Sequence, residues 1–333
     1  MPQRNGLIVM LRLIGLVRPL IFYMVLAVTL GVAGHLCAVG ITIAGGYGLL
    51  AVFAEGAEAP LHFIAALMVV MAILRGLLRY GEQLCNHFLA FKVLALIRDR
   101  VFRALRRLCP AKLEGRDRGD LIAMITSDIE LLEVFYAHTI SPIAIAALFC
   151  GAMIVYIGSF YWLLGLLAVC AYGIVGVVIP LVASRISAGE GTRLRVQSGA
   201  LSSFVLESLR GLSELLQYGQ GDARLAEMQR RTAALSEVEA EQKLHASTNQ
   251  AVTNTVIMLS DLAMLGVSAW LYLQGALTFD GVLLATLAMF SSFGPCVALA
   301  NLGSTLQNTF AAGNRVLDIL EEEPVSYTHL RAH

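Results

Sequence analysis

HFIAALMVVMAILRGLLRY (His62–Tyr80) runs without a stop into GEQLCNHFLAFKVLALIRDRVFRALRRL (Gly81–Leu108). The first part is apolar and has the length that a helix needs to cross a bilayer, about 20 residues at 1.5 Å each. The second part is charged, yet it holds no glycine beyond Gly81 and no proline before Pro110. Its apolar residues, Phe88, Phe91, Leu94, Leu96, Ile97, Val101, Phe102 and Leu105, recur at helical spacing. One helix is therefore expected to leave the membrane and continue far into water.

Five other stretches have the composition of a span: Leu20–Ala44, Ile140–Tyr156, Trp162–Ala183, Val252–Leu273 and Val282–Ala300. All 24 Lys and Arg residues lie in the N-terminal arm (Arg4, Arg12, Arg18), in Arg75–Arg118, in Arg185–Lys243, or at Arg315 and Arg331. The linkers Gly45–Leu61, Gly158–Trp162 and Leu273–Gly281 contain none. Basic loops stay on the cytoplasmic side, so both long polar segments and both termini are expected there. The fold class is an all-α membrane protein, with six transmembrane helices extended into the cytoplasm as two long helical hairpins. Loops near 81–139 and 184–251 join a six-helix domain at 20–300. Residues 1–19 read as an amphipathic elbow lying on the membrane surface or as an ordinary start of the first span. Residues 301–325 read as an exit helix, Leu302–Leu320, ending at Glu321–Pro324.

With 57% hydrophobic and 14% charged residues and a mean hydropathy of +0.73, the chain is far from a soluble domain, where charge is about 25%. Its net charge is zero, but the charges are segregated, which is the informative property. Nothing points to nucleic acid; membrane lipids are the expected surroundings. No cleavable signal peptide is expected, because no small-residue site follows the arm. The six cysteines (Cys37, Cys85, Cys109, Cys150, Cys170, Cys296) show no metal or redox spacing and read as small buried hydrophobes.

In the first cytoplasmic hairpin, a break at Cys109–Pro110 leads to a polar turn at Glu114–Asp120. A helix then starts either at Gly119–Asp120 or at Ser127, which with Glu130 forms a capping box. In the second hairpin, helix is interrupted near Gly211 and at Tyr218–Gly221. Gly294-Pro295 predicts a kink in the sixth span.

This plan resembles the transmembrane domain of an ABC exporter. Arg118-Gly119-Asp120-Leu121-Ile122 with Thr126-Ser127-Asp128-Ile129 is similar to that family's first intracellular loop, and Glu207-Ser208-Leu209-Arg210-Gly211 to the Glu-x-x-x-Gly element of the second. Gly313-Asn314-Arg315-Val316-Leu317-Asp318-Ile319-Leu320 resembles its exit from the sixth helix. The resemblance implies that Arg118, Gly119, Asp120, Glu207 and Gly211 sit at tips that couple to ATPase domains. More narrowly, Arg79-Tyr80-Gly81-Glu82-Gln83-Leu84-Cys85-Asn86-His87, Val134-Phe135-Tyr136 and Ile140-Ser141-Pro142 resemble the CydC-type subunit of the cytochrome bd biogenesis transporter. That implies a CydD-like partner in a heterodimer, a bacterial cytoplasmic membrane, and export of cysteine or glutathione or handling of haem. It also implies haem b as a cofactor, with His87 as iron ligand. Gln83 stands where the pattern carries a second Arg, which removes a cation for a haem carboxylate. Other ABC exporter substrates (lipid, drug or peptide) and a haem-binding assembly factor are the alternatives.

Read from the residues alone, His87 near the inner boundary is either a ligand or an interfacial imidazole bonded to a neighbour. Arg79 and Glu82, three apart on one helix face, either pair with each other or line a cavity together with Tyr80. Asp261 is the one acid deep in an apolar helix and must be paired, protonated or turned to the bundle interior. His35 and His138 read as packing residues. The chain has no Gly-x-x-x-x-Gly-Lys-Ser/Thr run, so no phosphate-cradling loop and no enzyme activity of its own is expected. ATP and magnesium are expected on an ATPase domain, either beyond Val325 in a sequence cut short before it or on a separate chain. Residues 326–333 read as a tail foreign to the fold.

Overall fold

The computed structural model describes residues 12, 15, 20–53, 61–109, 122, 124–187, 189–300 and 303–322. Among the described residues there are helices and turns but no strand. Most of the expected elbow, the tip Arg118-Gly119-Asp120, the side chain of His138 and the tail 326–333 lie outside them.

The helices, in chain order, are α1 (Ile21–Phe53), α2 (Leu61–Leu108), α3 (Ile129–Phe135), α4 (Ser141–Phe160), α5 (Trp162–Gly173) and α6 (Ile179–Ile186). They continue with α7 (Glu190–Arg210), α8 (Leu212–Gln217), α9 (Gly221–Leu273), α10 (Phe279–Ser291), α11 (Gly294–Ala300) and α12 (Gly303–Glu321). Six helical segments among the described residues are long and apolar enough to cross a membrane: α1, α2, α4, α5–α6, α9 and α10–α11. The chain is an all-α multi-pass membrane protein, as the segregated charges predict.

α2 is a single helix of 48 residues, about 72 Å long, so it does run on past its apolar half. The stripe it buries shares Ile97, Val101 and Leu105 with the expected one but turns away from its phenylalanines. Leu89, Val93, Ile97, Val101, Ala104, Leu105 and Leu108 face the core, while Phe88, Phe91 and Phe102 are exposed. Both stripes have helical spacing, and small Ala104 lets the second approach a neighbour closely. α1 also departs from expectation by continuing nine residues past Ala44. The glycines that suggested a turn there serve close packing instead. A Cβ at Gly45 would meet Met68 at 3.7 Å, one at Gly48 would meet Ile64 at 3.5 Å, and one at Gly46 would crowd Leu284 at 3.1 Å. With Gly40 against Met71 and Gly34 against Leu78, α1 and α2 form an antiparallel pair joined through small residues.

There are two apolar cores. One lies at the level of the spans, where Phe149, Met153, Ile157, Leu164, Ala168, Met264, Ala285, Ala288 and Met289 pack α4, α5, α9 and α10 together. The other lies beyond the spans, along the charged half of α2. There Leu89 to Leu108 of α2 pack on Ile129, Leu132, Phe135 and Tyr136 and on Val316, Leu317 and Ile319 of α12. π-helical turns at Met124–Asp128 and Tyr136–Ile140 flank α3 and join the two levels. Because the chain is already helical at Met124, Ser127 does not begin a helix. The residue preceding α3, Asp128, makes no side-chain cap bond. Asp128 is occupied elsewhere.

The second hairpin breaks where glycine relieves the backbone. Gly211 separates α7 from α8 and Gly219 turns the chain at φ 64°, as predicted. A further break at Ser187 and Gly189 (φ 91°) has no proline to announce it. In the sixth span α10 stops at Ser291 and α11 restarts at Gly294, since Pro295 has no N–H to continue the ladder.

Candidate functional site

The candidate residues fall in three places along the molecule. Where the apolar half of α2 gives way to the charged half, Arg79 Nη1 donates to both carboxylate oxygens of Glu82, at 2.9 and 2.7 Å. Glu82 is only 4% exposed and sits against Gly31 of α1, where a Cβ would lie 3.2 Å from its Cδ. Structural pairing thus accounts for both residues. One turn further, Asn86 is buried with its Oδ1 unpartnered, as are the hydroxyls of Thr139 and Ser141 on the facing π turn and α4. These three form a polar belt between the two apolar cores.

Tyr80 and His87 do not join Glu82. Tyr80 is 70% exposed and shares the outer face of α2 with Leu77, Leu84 and Phe91, also exposed, at i, i+3, i+4 spacing. His87 is exposed on that face and stacks on Phe91 (centroids 6.4 Å, planes 26° apart). The face suits an apolar ring and offers one imidazole. Of the motif's two cation positions, Arg79 is held by Glu82 and residue 83 is Gln. Among the described residues no cluster of three or more metal-ligating side chains exists.

Within the span core, Asp261 lies on the inward stripe of α9, in register with Ile257, Met264, Ser268 and Leu271. Its Oδ1 is buried without a hydrogen-bond partner, and it is close enough to Tyr172 to interact electrostatically. Tyr172 Oη and Ser292 Oγ are 2.5 Å apart, and Ser292 Oγ donates to the Met289 carbonyl at 2.8 Å. With that proton committed, Tyr172 is the donor of the pair. An acceptor-only carboxylate among short polar side chains, deep in an apolar bundle, is suited to hold a cationic group or a proton. Neither Tyr172 nor Ser292 was singled out from sequence. The signal was weak, since a lone Tyr or Ser in a span is unremarkable until its partner, 120 residues away, is known.

At the far end of the second hairpin, Glu207 lies in the last turn of α7 and Gly211 at the α7–α8 tip. Glu207 accepts from Arg224 Nη2 at 3.0 Å, and Arg224 also donates through Nε to Ser208 at 2.7 Å. The Arg224 and Arg231 guanidinium carbons lie 3.7 and 4.2 Å from the centre of the Phe204 ring. The tip is therefore fastened to α9 by a cation–π clamp. Arg315 of α12 chelates Asp128, and Arg12 of the N-terminal arm pairs with Glu321 at the end of α12. Asp128 and Arg315 each lie in a quoted motif, but their pairing was not legible there.

A family model described as the ABC transporter transmembrane region matches residues 21–295. A probable ABC transporter ATP-binding/permease protein of Haemophilus influenzae is 36% identical over 322 residues, covering 97% of this chain and 58% of its own length. The glutathione/L-cysteine transport system ATP-binding/permease protein CydC of the same organism is 24% identical over 311 residues, 91% of this chain and 53% of its own length. An ATP-dependent lipid A-core flippase of Shewanella denitrificans is 23% identical over 284 residues, 82% of this chain and 45% of its own length. The chain thus spans about half the length of these curated relatives.

Proposed function

The chain belongs to the ABC transporter transmembrane region family, and from that premise we propose that it is the membrane subunit of an ATP-driven exporter of small thiols of the cysteine and glutathione type. It would act in the bacterial cytoplasmic membrane with both termini inside, beside a CydD-like half-transporter, and with ATPase domains docked on the two hairpin tips. The observation that carries the cargo reading is Asp261. A half-buried carboxylate with one buried, unpartnered oxygen is a counter-ion for the ammonium of an amino-acid thiol, and Tyr172, within electrostatic reach of it, offers a hydroxyl. The 24% identity to a glutathione/L-cysteine transporter supports the same reading.

The test is ATP-dependent uptake of labelled cysteine and glutathione into inverted vesicles carrying the full-length transporter with its partner half. Uptake is expected, with KM for cysteine raised at least about tenfold in Asp261→Asn, the order of one lost charge-assisted hydrogen bond. Movement of lipid without thiol would overturn the assignment in favour of a flippase-like cargo.

A second reading is haem binding on the outer face of α2, favoured by the exposed His87–Phe91 stack beyond the apolar half of that helix. His87 would supply one axial nitrogen, and bound haem b would serve redox or delivery chemistry. Titration with haem, wild type against His87→Ala, decides it: absence of a Soret band in both removes this reading.

A further inference from the structure

The span core holds a pair of thiols for which the transport reading has no use. Cys150 on α4 and Cys296 on α11 place their sulfurs 3.4 Å apart. They are 8% and 2% exposed, the two buried cysteines of the six. The backbone of the π turn Ile174–Val178 closes the pair on one side: a Cβ at Gly176 would lie 3.6 Å from the Cys296 sulfur. One turn away, the Tyr172–Ser292 bond joins α5 to the end of α10. The fourth and sixth spans are thus held in register at the level where the two sulfurs meet. An S–S bond needs about 2.05 Å, which the two side-chain torsions and a small helix shift can supply.

We propose that Cys150 and Cys296 are a redox-modification site whose disulfide staples the third span to the sixth. The oxidant is a small-molecule disulfide, RSSR. One cysteine, as thiolate, attacks a sulfur of RSSR, forming a mixed disulfide and expelling RS⁻. The other thiolate attacks the protein sulfur of that mixed disulfide, forming the Cys150–Cys296 bond and expelling a second RS⁻. Two protein thiols and RSSR become one protein disulfide and two RSH. Two electrons pass to RSSR, and the two thiol protons end on the released sulfurs. Because the sulfurs are shut away in the packed arrangement, the first attack needs α4 and α11 to part and the second needs them to return. Oxidation therefore records an excursion and then prevents the next one, whatever the cargo.

The experiment incubates the full chain in membrane vesicles with oxidised glutathione, blocks remaining thiols with N-ethylmaleimide under denaturing conditions, and maps unreduced peptides by mass spectrometry. The expected result is a linked Cys150–Cys296 peptide that dithiothreitol reverses. It is lost in Cys150→Ala and in Cys296→Ser, while Cys170, exposed on α5, is found unlinked to either. Oxidation should also slow backbone hydrogen exchange across 141–160 and 294–300 in the wild type but not in Cys150→Ala. Recovery of both cysteines as maleimide adducts while Cys170 carries glutathione would overturn the proposal. So would pairing of either with a different cysteine, or a linked pair that leaves exchange unchanged.

Discussion

Arg315 of α12 grips Asp128 with two hydrogen bonds, Nε to Oδ2 at 2.7 Å and Nη2 to Oδ1 at 2.5 Å, across 187 residues of chain. Asp128 is buried and Arg315 half exposed, so removing the cation strands a carboxylate out of water. Arg315→Ala should cost about 2 kcal/mol, below the 3–5 of a fully buried pair because solvent reaches the guanidinium. Arg315→Lys should restore less than half, for lack of the planar fork. A double-mutant cycle with Asp128→Asn, read by thermal unfolding in detergent, should give a coupling of about 1–3 kcal/mol. Additive effects would mean that the two helices are held by the apolar contacts alone.

Arg224 is the fastener of the second tip. Arg224→Ala removes its bonds to Glu207 and Ser208 and its stacking on Phe204. We expect a loss of about 1–2 kcal/mol, felt locally as faster proteolysis at 218–220. In the full-length transporter, substrate-stimulated ATP hydrolysis should fall more than basal hydrolysis. Equal loss of both would place the effect in overall folding.

The hairpin between the third and fourth spans turns on Gly158 and Gly165. A Cβ at Gly165 would lie 2.8 Å from the Gly158 Cα, which is backbone and cannot rotate away. Gly165→Ala should destabilise by about 1–3 kcal/mol. Gly173→Ala, with nothing within 4 Å of the new methyl, should be neutral or stabilise by up to about 1 kcal/mol. Melting temperatures of the two variants check this, and similar values would refute the close approach.

Tyr136, in the core along the charged half of α2, is 1% exposed, and burial pushes its phenol well above the usual value, opposed by Arg100. The unfolded chain ionises tyrosine near pH 10, while the folded chain keeps this proton. Stability from this group is complete below about pH 10 and declines as pH rises beyond it. Tyr136→Phe should melt with a shallower alkaline decline than wild type between about pH 9 and 11. Parallel pH curves would show that Tyr136 ionises freely in the folded state.

Much of the fold was legible because bilayer length and charge placement are one-dimensional properties. The run from His62 to Leu108 predicted a helix crossing two media, and Gly219 and Pro295 marked real breaks. What failed were inferences needing a neighbour. Gly45, Gly46 and Gly48 look like a turn until Met68, Leu284 and Ile64 are placed against them. Phe88 and Phe91 look like core until the smaller Ala90 and Val93 prove to face α3 and its π turn. At the candidate site, Arg79–Glu82 was readable from i, i+3 spacing and Asp261 from its isolation. Tyr172–Ser292, Asp128–Arg315 and Cys150–Cys296 join segments 120 to 187 residues apart, and no local pattern announces such meetings.

The polar belt of Asn86, Thr139 and Ser141 has a mechanical meaning. It separates two bodies that are each tightly packed, and the π turn that crosses it is the loosest helical geometry in the path. Below that joint α2 reaches from Asn86 to Leu108, about 33 Å. A tilt of about 10° at the belt would carry the far end through about 6 Å without opening either body. Since α2 runs unbroken through the belt, such a tilt would have to bend it there, and α12, riveted at Asp128, would swing along.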